Sequence, residues 1–387
     1  MKQLNVMYLI RTWALGGSHT IIRHFLHHLP EHEFNIITVP YDAPGSGTQD
    51  FVSSCNREGL EISPERIPWN TRSNWFKARA KVEELIARYQ IDLIHCHDTL
   101  SNVMVGLGRR HFKCAAVASP YGWWDPKWNL KAKMNHWVEK NLALPNFERV
   151  YTVSYDMKRK ILEGRTQEDR IRVIHTGLDL SQFKSGAPRE QVRAAFSIPP
   201  EAVVIGTVSR LFAEKGHKYL LSAVRLLADE FPNVRVMIVG TGDERQPLEA
   251  LAQLLNIEDK VIFTGFYNDL PGALRAMDIF AQPSILDEGF PTSVLEAQAA
   301  GLPVVASDIG GTHETMDIGA TGLLAPPKDA ETLAKTLREL VADPARRANM
   351  AAAAPLWIER SFTLQQMIEQ ISATYHEAFD LYQTSRS

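Results

Sequence analysis

The chain has 387 residues, 45% hydrophobic and 22% charged, with a net charge of −3. That length exceeds one ordinary core and fits two domains of a little under 200 residues; the composition excludes disorder, and no run approaches the roughly 20 apolar residues of a membrane span. Cys55, Cys96 and Cys114 show no paired spacing, which argues against a disulfide framework and for a reducing cytoplasm.

The N-terminus carries one lysine and an apolar run stopped by Arg11, too short for a signal-peptide core, and reads as a first strand at 4–10. Further strands are expected at 34–39, 91–97, 115–120, 150–154 and 172–176, with amphipathic helices at 20–29, 75–89 and 131–144. Such alternation predicts a parallel sheet covered on both faces. Ser185-Gly-Ala-Pro-Arg-Glu and then Pro199-Pro200 read as a linker holding a small helix.

Beyond it the pattern repeats, with strands at 203–208, 234–239, 261–264, 279–283, 303–307 and 323–325. From about residue 330 the chain reads as helix, punctuated by Pro344 and Pro355, and its tail at 364–387 is expected to pack back on the first domain. The fold class is therefore α/β: two Rossmann-like, doubly wound parallel-sheet domains at 1–184 and 185–363. Residues 1–195 hold 27 Lys and Arg against 20 Asp and Glu, the remainder 15 against 25. A basic first half suits an anionic acceptor or an anionic membrane surface.

The sharpest signal is Glu288-Gly-Phe-Pro-Thr-Ser-Val-Leu-Glu296, two carboxylates eight positions apart across a loop-to-helix junction. Helix-start amides at Thr292 to Val294 offer N–H groups to a phosphate. Ser293-Val-Leu-Glu296 also reads as a capping box, which would make Glu296 a backbone partner only. Upstream, Ile205-Gly-Thr-Val-Ser-Arg210-Leu-Phe-Ala-Glu-Lys215-Gly216 runs from a strand into a loop with two cations.

Together these segments resemble the Glu-x7-Glu motif and the Arg/Lys loop of glycosyltransferase family 4, retaining enzymes of the GT-B fold whose two domains face a cleft. The resemblance covers almost the whole chain and is strongest from Ile205 to Pro326. It implies that Arg210 and Lys215 hold a donor diphosphate, that Glu288 faces the donor sugar, and that Glu296 grips the ribose. Phe290, Pro291, Thr292 and Ser293 would complete the donor loop, and Gly265 with Phe266 would line the base.

In the first half, Gly16 and Gly17 resemble the family's Gly-Gly loop. His97, which shares a strand face with His95, matches the family histidine near the transferred sugar; His95 is expected to be a hydrogen-bonded core residue. Where relatives carry His or Arg, this chain has Tyr121. Tyr121, Trp123 and Trp124 are acceptor-side candidates, and Trp123, Trp124, Lys127, Trp128, Lys131, Lys133 and Trp137 could bind a sugar, dip into a membrane or simply pack. Thr176, where the family has Asn before Gly177 and Asp179, is expected to hydrogen-bond locally.

No Asp-x-Asp pair and no His/Cys cluster with metal spacing is present in the sequence, so no metal cofactor is expected. The function implied is transfer of a sugar from a nucleotide-diphosphate sugar to a glycan or lipid-linked acceptor of envelope biosynthesis. The location implied is cytoplasmic, at the inner face of the membrane, with no nucleic-acid partner. The alternatives are a GT-B nucleotide-sugar epimerase and a sugar-nucleotide-binding protein without turnover.

Overall fold

A computed structural model of the chain describes residues 2–10, 17–41, 48–60, 62–68, 74–123 and 130–386. The chain divides into two compact units, residues 1–176 with 365–387, and residues 177–364.

The first unit is built on six parallel strands: β1 (Leu4–Ile10), β2 (Phe34–Pro40), β3 (Leu93–Cys96), β4 (Ala115–Ala118), β5 (Arg149–Thr152) and β6 (Ile171–Val173). Their order is β2-β1-β3-β4-β5-β6, so the direction of winding reverses between β1 and β3. The helices between them include α1 (Gly17–His28), α2 (Thr48–Arg57), α3 (Trp75–Arg88), α4 (Thr99–Gly108), α5 (Leu130–Val138) and α6 (Tyr155–Leu162). β3 and β4 are buried throughout because helices cover both faces of the sheet, which is why they read as apolar runs, broken only by His95, rather than as alternation.

The expected helix at 131–144 is shorter: α5 ends at Val138 and continues as a π-helical turn, Glu139–Ala143. α4 follows β3 directly, its start fixed by a capping box in which Asp98 accepts from Leu100 N and Ser101 N.

The second unit repeats the plan with β7 (Val203–Val208), β8 (Val234–Val239), β9 (Val261–Gly265), β10 (Ile279–Gln282), β11 (Val304–Ser307) and β12 (Gly322–Ala325). The order β12-β11-β10-β7-β8-β9 puts the reversal between β10 and β7. Its helices are α7 (Arg189–Ala195), α8 (His217–Ala228), α9 (Arg245–Leu254), α10 (Leu270–Arg275), α11 (Thr292–Ala299), α12 (Ala330–Val341) and α13 (Pro344–Ser361). Pro355 lies inside α13 and does not end it. The single backbone bond it removes is tolerated while Met350, Ala354 and Ile358 keep the helix docked.

Residues 177–184, assigned to the first domain from sequence, pack with the second unit. Leu178 exchanges backbone hydrogen bonds with Phe362 O and Leu364 N, and Arg275 reaches the Phe183 carbonyl. These contacts outweigh the turn-rich text of 185–190 that suggested a later boundary. The last helix, α14 (Leu364–Thr384), belongs to the first unit as expected, with Ile371, Tyr375 and Ala378 fully buried.

Candidate active site

In open α/β sheets the loops at the carboxyl ends of the strands diverge at the reversal point and leave room for a ligand. In the second unit β7 and β10 flank that point, and their loops carry the expected cations and the first carboxylate. The β7 loop bends back at Gly216, whose φ of +67° admits no Cβ because the Pro283 carbonyl lies against it. Ile285 N donates to Glu214 O at 2.8 Å, tying the β7 and β10 loops together.

Lys215 Nζ lies 2.6 Å from Glu288 Oε1, and both side chains are mostly buried. The same carboxylate oxygen accepts from Ser284 Oγ at 2.7 Å and sits 3.4 Å from Gln282 Nε2. The Glu288 backbone is held too: Gly311 N donates to its carbonyl, and Gly310, at φ +51°, presses where a Cβ would collide with that carbonyl. The carboxylate is therefore fixed by three side chains and two glycines.

Arg210 differs. Its guanidinium is exposed, rests over the Phe212 ring at 4.9 Å from the centroid, and has no ion-pair partner among the described residues. Leu211, fully buried beside it and bonded through its backbone to Thr241 and Glu244, anchors the loop. The structure thus sets a fixed, neutralised Lys–Glu pair and an uncommitted cation on one loop system.

The capping-box alternative for Glu296 is overturned. The cap of α11 is Pro291, with no side-chain cap bond, because the helix begins at Thr292 and leaves Glu296 one turn inside. Ser293 Oγ donates instead to Gln282 Oε1 at 3.2 Å. The Glu296 side chain has no hydrogen-bond partner among the described residues, and burial pushes its carboxyl up to about 7. The expectation of three free amides needs one correction, since Val294 N donates to Pro291 O at 3.2 Å.

Phe290 is buried against Phe362, ring centroids 5.5 Å apart, so its ring serves packing. Gly265 ends β9 at φ +73° with open space where a Cβ would lie, and Phe266 beside it is 77% exposed. Sequence reasoning missed His217, buried at the start of α8 with Nε2 2.9 Å from Ser209 Oγ. Burial, reinforced by Lys215, pulls its pKa down to about 4. It also missed the roles of Gln282 and Ser284; a glutamine closing the otherwise apolar strand β10 was the available signal.

In the first unit, His97 follows β3 and Tyr121 follows β4. Tyr121 Oη lies 2.8 Å from His97 Nδ1, and the rings stack at 6.1 Å. Burial pulls the His97 pKa down to about 3, so the imidazole is neutral, and Nε2 has no partner among the described residues. His95 is a bonded core residue as expected, between Tyr375 Oη and Ser119 Oγ.

Trp123 packs on the core and gives its indole N–H to Glu139 Oε2 at 2.8 Å, which commits it to structure rather than to an acceptor. Glu139 is fully buried and also accepts from Thr99 and Asn102. Burial raises its carboxyl to about 7 against those three donors. Gly17 opens α1; Gly16, Trp124, Lys127 and Trp128 lie outside the described residues, as does the Lys131 side chain. The Thr176 hydroxyl is buried with no partner among the described residues, so its expected local bond is not made.

Two doubly wound domains, one with cations and carboxylates at its reversal point, define a GT-B glycosyltransferase. Comparison with known proteins agrees. The family model "Glycosyltransferase Family 4" matches residues 15–182 and "Glycosyl transferases group 1" matches residues 188–357. The chain is 33% identical to a D-inositol 3-phosphate glycosyltransferase of Corynebacterium urealyticum, over 72% of this chain and 70% of that one.

It is also 28% identical to an uncharacterised glycosyltransferase of Methanocaldococcus jannaschii over 81% of each. The solved structure of Anabaena HepE in complex with UDP superposes with a TM-score of 0.84 at 21% identity, over 96% of this chain and all of that one. The chain belongs to glycosyltransferase family 4.

Proposed function

We propose that the protein is a retaining glycosyltransferase that moves a sugar from a nucleotide-diphosphate donor to an acceptor hydroxyl without a metal. The observation that carries this is the pairing, on adjoining loops, of the uncommitted Arg210 guanidinium with the Lys215–Glu288 couple. A departing nucleoside diphosphate gains negative charge as the glycosidic bond breaks, and cations already in place stabilise that charge without reorganising. The donor C–O bond breaks toward the phosphate, the acceptor oxygen bonds to the same face of the anomeric carbon, and the acceptor proton leaves with the diphosphate.

Glu296, whose carboxyl has no partner among the described residues, would take the ribose hydroxyls; His97 would face the sugar. Because HepE binds UDP and, in a second structure, UDP-glucose, a UDP-sugar is the first donor to test.

The acceptor proposed is a lipid-linked or polysaccharide intermediate at the inner membrane face. No helix among the described residues is long and apolar enough to cross a membrane. α5 instead exposes Leu130, Met134 and Trp137 at helical spacing, with Lys133 on the same exposed stretch. An apolar stripe beside a cation suits shallow contact with an anionic lipid surface.

The test is release of UDP, GDP or ADP from the matching sugar nucleotides in EDTA, with and without a bacterial lipid extract, and the anomeric configuration of the product by NMR. Acceptor-dependent release with the donor's configuration kept supports the proposal. Inversion, a metal requirement, or conversion of the donor sugar to its epimer would each refute part of it.

A further inference from the structure

Ser209 and His217 bracket the loop that carries Arg210 and Lys215. Ser209 follows β7 and is pinned to β8: its N–H donates to Val239 O at 3.0 Å, and its carbonyl lies where a Cβ on Gly240 would collide. His217 opens α8 and is 2% exposed. Across the base of the loop the two side chains meet, His217 Nε2 lying 2.9 Å from Ser209 Oγ.

Burial keeps the imidazole neutral, so it carries one N–H. Placed on Nδ1, a buried atom with no partner among the described residues, that hydrogen would be a buried donor without an acceptor. Placed on Nε2, it goes to Ser209 Oγ, and Nδ1 keeps only an idle lone pair, which costs less. The serine hydroxyl then turns its own hydrogen to the Arg210 carbonyl, 3.3 Å away. The same carbonyl accepts from Phe212 N at 3.0 Å.

The two cations differ in what else holds them. Lys215 has Glu288 at its ammonium and Phe212 O at its backbone N–H, and Ile285 N holds the neighbouring Glu214 carbonyl. The Arg210 guanidinium rests on the Phe212 ring and has no ion-pair partner among the described residues, so its aim is set by the peptide from which it hangs.

We propose that the Ser209–His217 hydrogen bond is a clasp that fixes the Arg210 peptide and so aims its guanidinium at the donor diphosphate, with His217 as a positioning residue. The inference rests on the reading of Arg210 as a diphosphate ligand. It gives a buried histidine a part in donor binding that passes through Arg210 and not through Lys215.

The experiment is calorimetric titration in EDTA with UDP, GDP and ADP, the tightest-binding of the three being carried through a double-mutant cycle of His217→Leu and Arg210→Ala. His217→Leu is expected to weaken binding about fivefold in the wild-type background and less than about twofold in the Arg210→Ala background, where nothing is left to position. His217→Gln, whose amide N–H can replace the ring N–H, is expected to bind within about twofold of wild type.

Equal losses in both backgrounds, no loss in either, or a glutamine as damaging as leucine overturns the clasp, while a weakened Arg210→Ala keeps the diphosphate reading. If Arg210→Ala changes nothing, or if none of the three nucleotides binds, the diphosphate reading fails and takes the clasp with it. Should His217→Leu not fold, Ser209→Ala, at the half-buried end of the clasp, enters the same cycle with the same expectations. A two-bond 1H–15N correlation on 15N-histidine-labelled full-length protein, with His217 assigned by its loss in His217→Gln, is expected to show Nε2 protonated. A protonated Nδ1 overturns the clasp.

Discussion

The two units share one plan and use it oppositely. The second places charge at its reversal point: Arg210 exposed, Lys215 and Glu288 locked together, and the Glu296 carboxyl without a partner among the described residues. The first places neutral, buried groups at the ends of β3 and β4, with His97 and Tyr121 bonded to one another. A diphosphate calls for fixed cations, whereas a sugar hydroxyl calls for uncharged donors and acceptors of defined direction.

The largest effect that could break this contrast is on Arg210. Because the guanidinium is exposed and supports no ion pair among the described residues, Arg210→Ala should leave the melting temperature near wild type. It should lower kcat/KM by roughly 10²- to 10³-fold. Retained activity would remove the charge role from the second unit.

Next is Glu139. Its carboxyl titrates near 4.5 when unfolded and about 7 when folded, burial being the main cause and Asp98 adding to it. A raised folded pKa gives stability that is complete below about 4.5 and is lost as pH rises through 7, up to about 3 kcal/mol. Glu139→Gln, whose amide can meet the unpartnered Asn102 Oδ1 once that amide turns over, should flatten this dependence. Thermal unfolding from pH 4 to 8 checks it; parallel profiles for variant and wild type would contradict it.

The Lys215–Glu288 pair sharpens the comparison further. Removing either partner strands a mostly buried charge, so Lys215→Met and Glu288→Gln should each destabilise by about 1–3 kcal/mol. The double variant should recover about 1 kcal/mol of the sum, read from a denaturant double-mutant cycle. Strict additivity would mean that the pair is not coupled. The smallest effect is at Thr176, where Val replaces a buried hydroxyl that is unbonded among the described residues with a methyl and should raise stability by about 0.5–1 kcal/mol. A loss at that site would imply a bond the structure does not contain.

Much of the fold was legible because parallel strands buried on both faces leave mostly apolar runs such as Val203–Val208 and Val234–Val239, broken only by Thr207 and Arg235, which match the observed bounds. What escaped depended on contacts far apart in sequence. Residues 177–184 join the second unit through Phe362 and Arg275, some 90 to 185 positions away. The capping-box reading of Glu296 failed because a local spacing cannot say where a helix begins. Likewise, Trp123 read as a possible acceptor contact because its partner, Glu139, lies on a π-turn no local pattern announced.

The most direct test of the central claim is calorimetric titration of the purified protein with UDP, GDP and ADP in EDTA, with Arg210→Ala and Glu296→Ala in parallel. The account predicts that one nucleotide binds in the chelator and that each substitution weakens it by at least about tenfold. Binding that needs a metal, or that both variants keep unchanged, would contradict it.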